Sequence, residues 1–206
     1  MSDVVELIVA IAAGDRPTAQ KLMDANASLV AAGLARSDER FLVTQNVQIY
    51  QGDSALHAAG FSYDLELARE LVNRGADVRA RNRRGAEPLH AATTGSPRSI
   101  HWHPARQRKI IGYLVSAGAD PDARAAGGVT PLHRAVRNRC SAAVEALLRA
   151  GADVDLTNDH GSTAWDLAQW TTGRGGTGVP EAKAEQALIL DLLARSEPLE
   201  KRDPVT

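Results

Sequence analysis

Three histidines stand in one recurring tetrapeptide: Ser54-Ala-Leu-His57, Glu87-Pro-Leu-His90 and Thr130-Pro-Leu-His133. An imidazole can bind a metal, move a proton or hold a hydrogen bond, and its neighbours decide which. Two more flank a tryptophan in Ser96-Pro-Arg-Ser-Ile-His-Trp-His-Pro-Ala105, where His101 and His103 share a face if the segment is extended. Cys140 is the lone cysteine; the cations and imidazoles around it would favour a thiolate, against the plainer reading of an inert cysteine in a helix turn. Towards the C-terminus Gly173, Gly175 and Gly178 satisfy a dinucleotide-binding spacing.

Context weakens each of these chemistries. One cysteine excludes an intrachain disulfide and an all-cysteine zinc site. Two histidines make a poor metal site, with Cys140 the only soft ligand to join them. The glycine pattern follows a helical segment rather than a strand, and no Gly-Lys-Ser/Thr accompanies it. It opens onto a helix near Pro180-Glu181, whose free amides suit an anion, against the plainer reading of a surface loop. No acid–base–nucleophile order is discernible, so the balance leans away from an enzyme. No catalytic residue, metal or cofactor is assigned.

The elements that carry these residues are repeated. Leu56, Leu89, Leu132 and Trp165, third in the tetrapeptide and its variant Thr163-Ala-Trp-Asp166, are spaced 33, 43 and 33. Gly75-Ala-Asp77, Gly118-Ala-Asp120 and Gly151-Ala-Asp153 are spaced 43 and 33, placing the same ten-residue insertion between Leu89 and Gly118. Each unit reads as a short Ala-rich helix opened by Pro, then a second helix with apolar residues at helical spacing, such as Val144, Leu147 and Leu148. The glycine after it suits a left-handed cap, and a polar stretch ending in Gly85, Gly128 or Gly161 suits a tight hairpin. Stacked helices lie roughly 10 Å apart, whereas a metal needs its ligands within about 2.3 Å. His57, His90 and His133 therefore cannot share one ion.

The period, the Thr-Pro-Leu-His opening and the Gly-Ala-Asp closing resemble the ankyrin repeat family over roughly residues 52–194. The resemblance implies an all-α solenoid with short β-hairpins, built from five helix-turn-helix units, the first degenerate. The expected units are 1–46, 47–84, 85–127, 128–160 and 161–196 in one domain over 1–196, followed by a frayed tail over 197–206. In the first, Val5–Ala13 and Thr18–Leu34 read as two helices around Gly14-Asp15. Phe41-Leu-Val-Thr-Gln and Val47-Gln-Ile-Tyr-Gln, flanking Asn46, read as a longer hairpin. The resemblance also implies that the tetrapeptide histidines hydrogen-bond to turns of neighbouring repeats. Such arrays are interaction scaffolds serving many unrelated tasks.

Charge narrows the partner. The formal net charge is −1, unlike a generic nucleic-acid binder. Residues 1–73 balance at −5, residues 74–149 at +9 and residues 150–206 at −5. The first complete finger is basic, with Arg79, Arg81, Arg83 and Arg84; the third is acidic, with Asp153, Asp155 and Asp159. Such a row would orient a charged partner. On the opposite edge, insertions at 95–105 and 171–180 flank the turn 137–141. Together they suggest a rim of Arg98, His101, Trp102, His103, Arg137, Arg139, Cys140, Trp170 and Arg174, in which Arg139 bridges the loops and an anionic ligand finds cations and an aromatic. The plainer reading has Trp102 packed as a lid and the histidines solvated. The expectation is a monomeric cytoplasmic protein that binds another protein, with an acidic surface, through fingers and first helices. No nucleic acid and no membrane is expected, the longest apolar run being Leu7–Ala13. The alternative is a small-anion-binding or catalytic protein with its site at the inserted loops.

Overall fold

Helices α3 (Ala55–Ser62), α5 (Pro88–Ala92), α7 (Pro131–Arg137) and α9 (Ala164–Gln169) all begin on one device. Their N-cap residues are Ser54, Glu87, Thr130 and Thr163, and the residue three further on reaches back to the N-cap amide. Nδ1 of His57, His90 and His133 accepts that N–H at 3.2, 3.2 and 3.3 Å. This leaves the proton on Nε2, which donates across to the next unit, to the carbonyls of Ala86, Val129 and Ser162 at 3.0, 3.1 and 3.0 Å. Asp166 caps its own helix through the Thr163 amide at 2.8 Å and has no second donor.

The computed structural model describes residues 2–95, 97, 99, 101–170 and 179–196. The expected tail over 197–206 lies outside them. Helices α4 (Leu65–Asn73), α6 (Pro104–Ser116), α8 (Ser141–Arg149) and α10 (Pro180–Ser196) make an outer layer behind the four inner helices. The first three end at Gly75, Gly118 and Gly151, with φ of 95°, 105° and 87°, a left-handed conformation that a Cβ would strain. The degenerate first unit supplies α1 (Asp3–Ala13), beside α3, and α2 (Arg16–Ala25), tied to α4 by the pairs Arg16–Asp64 and Arg74–Asp24. The second helix expected over Thr18–Leu34 stops early. Asn26 takes the Ser28 amide at 3.1 Å and diverts the chain into a 3₁₀ turn, Ala27–Val30.

Strands β1 (Arg40–Leu42) and β2 (Val47–Ile49) form the longer hairpin, Arg40 opposite Ile49, with Asn46 left-handed near its tip. The later fingers are tighter turns. Asn82 Oδ1 accepts the amides of Arg84 and Ala86, and Asn158 Oδ1 those of His160 and Ser162. Backbone bonds stitch the fingers into a row: Arg83 N–H to Gln51 O at 2.7 Å, Ala126 to Arg84 at 2.8 Å and Asp159 to Gly127 at 2.9 Å. The core is aliphatic and rich in alanine, including the fully buried Ala58, Ala59, Ala92, Ala135 and Ala168. Among the described residues, no helix is long and apolar enough to cross a membrane.

Candidate functional site

The basic finger is less free than its sequence suggests. Arg79 meets Asp120 at 3.3 Å and Arg81 Nε meets Glu87 Oε1 at 3.0 Å. Arg83 embraces Glu39 with two donors, holding that carboxyl below its ordinary range, and lies 5.1 Å from the centre of the Tyr50 ring. Arg84 lies 5.7 Å from the same ring. Three of these four arginines thus hold carboxylates of their own chain.

The inserted loops leave from equivalent, doubly anchored helix ends. Gln107 Nε2 donates to Ala92 O at 2.9 Å, and Gln186 Nε2 to Ala168 O at 2.7 Å, the same register position in the third and fifth units. From the preceding unit, the Tyr63 hydroxyl donates to Thr94 O and the Arg139 guanidinium to Ala168 O and Trp170 O. Tyr63 and Arg139 both occupy left-handed turns, with φ of 56° and 58°, which aim their side chains into the next unit. Trp102 completes the first anchor, its Nε1 donating to Gln107 Oε1 at 2.8 Å, so it packs down as a lid does.

This arrangement corrects the rim in three respects. Arg139 is 3% exposed and spans helix-end carbonyls, so it staples one loop base rather than bridging two loops in solvent. Cys140 is fully buried and its thiol is pushed up to about 12 by desolvation, the reverse of an activated thiolate. Exposed His101 and His103 line a cleft of about 200 Å³ with Gly14, Phe61, Asp64 and Arg106, on the side of α1 and α3 rather than α9. Arg137 and Trp170 are exposed. Arg98, Arg174 and the Gly173-x-Gly175-x-x-Gly178 pattern lie outside the described residues. No group of three or more His, Cys, Asp or Glu among the described residues could hold a metal.

One residue that sequence reasoning passed over is central. Arg134 lies partly buried on α7 and donates Nη1 to His90 O at 3.2 Å. Burial pulls its pKa down, opposed by the nearby Tyr50 and Asp53, and its neighbours Arg137 and Arg84 lower it further. Its signal was available: two residues past the repeat leucine or tryptophan, the other units carry Ala58, Ala91 and Leu167. An arginine on that inner row needs a reason.

Comparison with known proteins agrees with the repeat register. The family model described as "Ankyrin repeat" matches residues 51–83, and that described as "Ankyrin repeats (many copies)" matches residues 114–168. A similar curated protein is "Notch-regulated ankyrin repeat-containing protein A" of Danio rerio, 42% identical over 50 residues. The match covers 24% of this chain and 45% of that protein, less than half of either.

Proposed function

Since this chain is an ankyrin-repeat protein, we propose that it works as a non-enzymatic interaction module, holding another protein by its fingers and inner helices. Ankyrin repeats generally serve as protein-protein interaction modules. The observation that carries the reading is the stitched row of fingers, whose charge changes from Arg79–Arg84 to Asp153–Asp159 beside one layer of helices. Such a row selects a partner's orientation and its sign of charge. The chain acts as a cytoplasmic monomer, and its partner presents an acidic surface to the basic end.

The test is capture of a partner from source lysate by three versions of the chain. Reversing Arg79 and Arg81 should lower capture and its salt sensitivity, while reversing the outer-layer residues Arg108 and Lys109 should not. The opposite ranking would overturn the reading. A second reading, a small anionic ligand at the inserted loops, draws on the cleft under His101 and His103, which Arg106 also lines. Competition of excess inorganic phosphate with thermal unfolding would favour it if the transition rose with ligand concentration.

A further inference from the structure

Two departures from the repeat meet in one place. The insertion of the third unit carries His101 and His103, and the longer hairpin ahead of α3 carries Gln45 in its turn. All three line the cleft of about 200 Å³, together with residues 11–14 at the end of α1 and Phe61 at the end of α3. The insertion thus carries its histidines past the second unit to the end of α1, two units away. Irregular loops on a rigid scaffold are where binding residues concentrate.

The walls of the cleft differ in chemistry. One is apolar, with Ala12 and Ala13 of α1 and Phe61 of α3 over the buried Ile11. The other carries His101, His103 and Arg106, whose side chains have no hydrogen bond or ion pair among the described residues. Arg106 is exposed in the first turn of α6, where a cation opposes the helix dipole and no acidic residue offsets it. Asp64 also lines the cleft, but Arg16 takes both of its oxygens, with Nε 2.9 Å from Oδ2. One guanidinium is therefore unmatched, which suits a single negative charge. A carboxylate supplies one and fits the guanidinium fork, whereas a phosphate monoester carries nearly two, and the second would face the Asp64 carboxylate. An apolar cavity of about 150 Å³ takes benzene, so this cleft has room for one ring and a carboxylate.

We infer that the cleft binds a small organic carboxylate with an apolar body about the size of one ring. Its carboxylate meets Arg106 and the imidazoles of His101 and His103, and its body lies against Ala12, Ala13 and Phe61. This site rests on the small-anion reading of the inserted loop, names the ligand class it takes and stands apart from the protein-interaction reading.

Benzoate is the probe, titrated into isotope-labelled protein and followed by amide chemical shifts. Saturable shifts at Ala12, Ala13, Gly14, Gln45 and Arg106 are expected, with a Kd in the millimolar range or tighter for so small a ligand. Arg106→Gln should weaken binding roughly tenfold. Ala13→Phe, which fills the cleft from an exposed position, should abolish it, and Arg106→Gln carries the test if that variant misfolds. Arg108→Gln, two residues along α6 and paired with Glu145, should change it less than about twofold. Benzamide, a ring without the charge, and inorganic phosphate, a charge without the ring, should each bind at least about tenfold more weakly. Benzoate shifts that map elsewhere, or that ignore Arg106→Gln, overturn the site. If phosphate binds at the same amides as tightly as benzoate, the small-anion reading stands and the carboxylate class falls. If neither binds, both fall, and capture of a protein partner by the fingers is untouched.

Discussion

At the scale of residues, each tetrapeptide histidine does two jobs that need a neutral ring, accepting at Nδ1 within its unit and donating at Nε2 to the next. Burial keeps all three below the ordinary imidazole value, His90 down to about 3. Unfolded, they titrate near 6.5. Their contribution is therefore whole above that pH and is lost as pH falls below it towards the folded values, by at most about 1.4 kcal/mol per pH unit for each ring. Glu87, whose pKa burial raises, works in the opposite sense nearer the carboxylate range. The urea midpoint should thus fall between about pH 7.5 and about pH 5.5, and a flat or rising midpoint would contradict the assignment. Glu87 itself is an anomaly: one carboxylate oxygen is buried with no partner among the described residues, where Thr130 and Thr163 cap cleanly. Glu87→Thr should stabilise the fold by about 1 kcal/mol despite losing the half-exposed Arg81, measured by the same urea melts.

At the scale of elements, close approach between inner helices is set by small side chains. A Cβ on Gly60 would come within 2.8 Å of Pro88 O and 3.2 Å of Ala92 N. Gly60→Val should therefore separate α3 from α5 and destabilise the protein by about 1–3 kcal/mol. Leu132, 1% exposed between units, should cost about 2–5 kcal/mol as Leu132→Ala. Arg139 belongs with these packing residues. Arg139→Ala strips donors from the buried carbonyls at the end of α9 and should cost about 1–3 kcal/mol. A variant as stable as the parent would return Arg139 to the candidate binding residues.

At the scale of the whole molecule, each described unit touches chiefly its sequence neighbours, so stability is a chain of interfaces between adjacent units. Amides of α5, α6, α7 and α8 should exchange with solvent most slowly, and those of α2 and α10 fastest. Uniform protection measured by hydrogen exchange would mean that the array opens as one block. The same layout distributes charge. The acidic outer thirds flank the basic centre along the stack.

What the amino-acid order determined by itself was everything held within a few residues of chain. The repeat register, the inner-helix caps, the left-handed glycines after the outer helices and the longer hairpin around Asn46 follow from local geometry. The Asn26 break is equally local, although the apolar pattern around it hid it. What only the tertiary structure decided was which charged groups are free. Arg83 finds Glu39 44 residues away, Arg79 finds Asp120 41 residues away and Arg139 finds carbonyls in the next unit. His101 and His103 turn to a cleft beside α1 rather than to the rim. A linear reading assigns charge to a segment, but neutralisation depends on side chains brought together by stacking. That is why the finger looked like a free cationic surface, while three of its four arginines are paired.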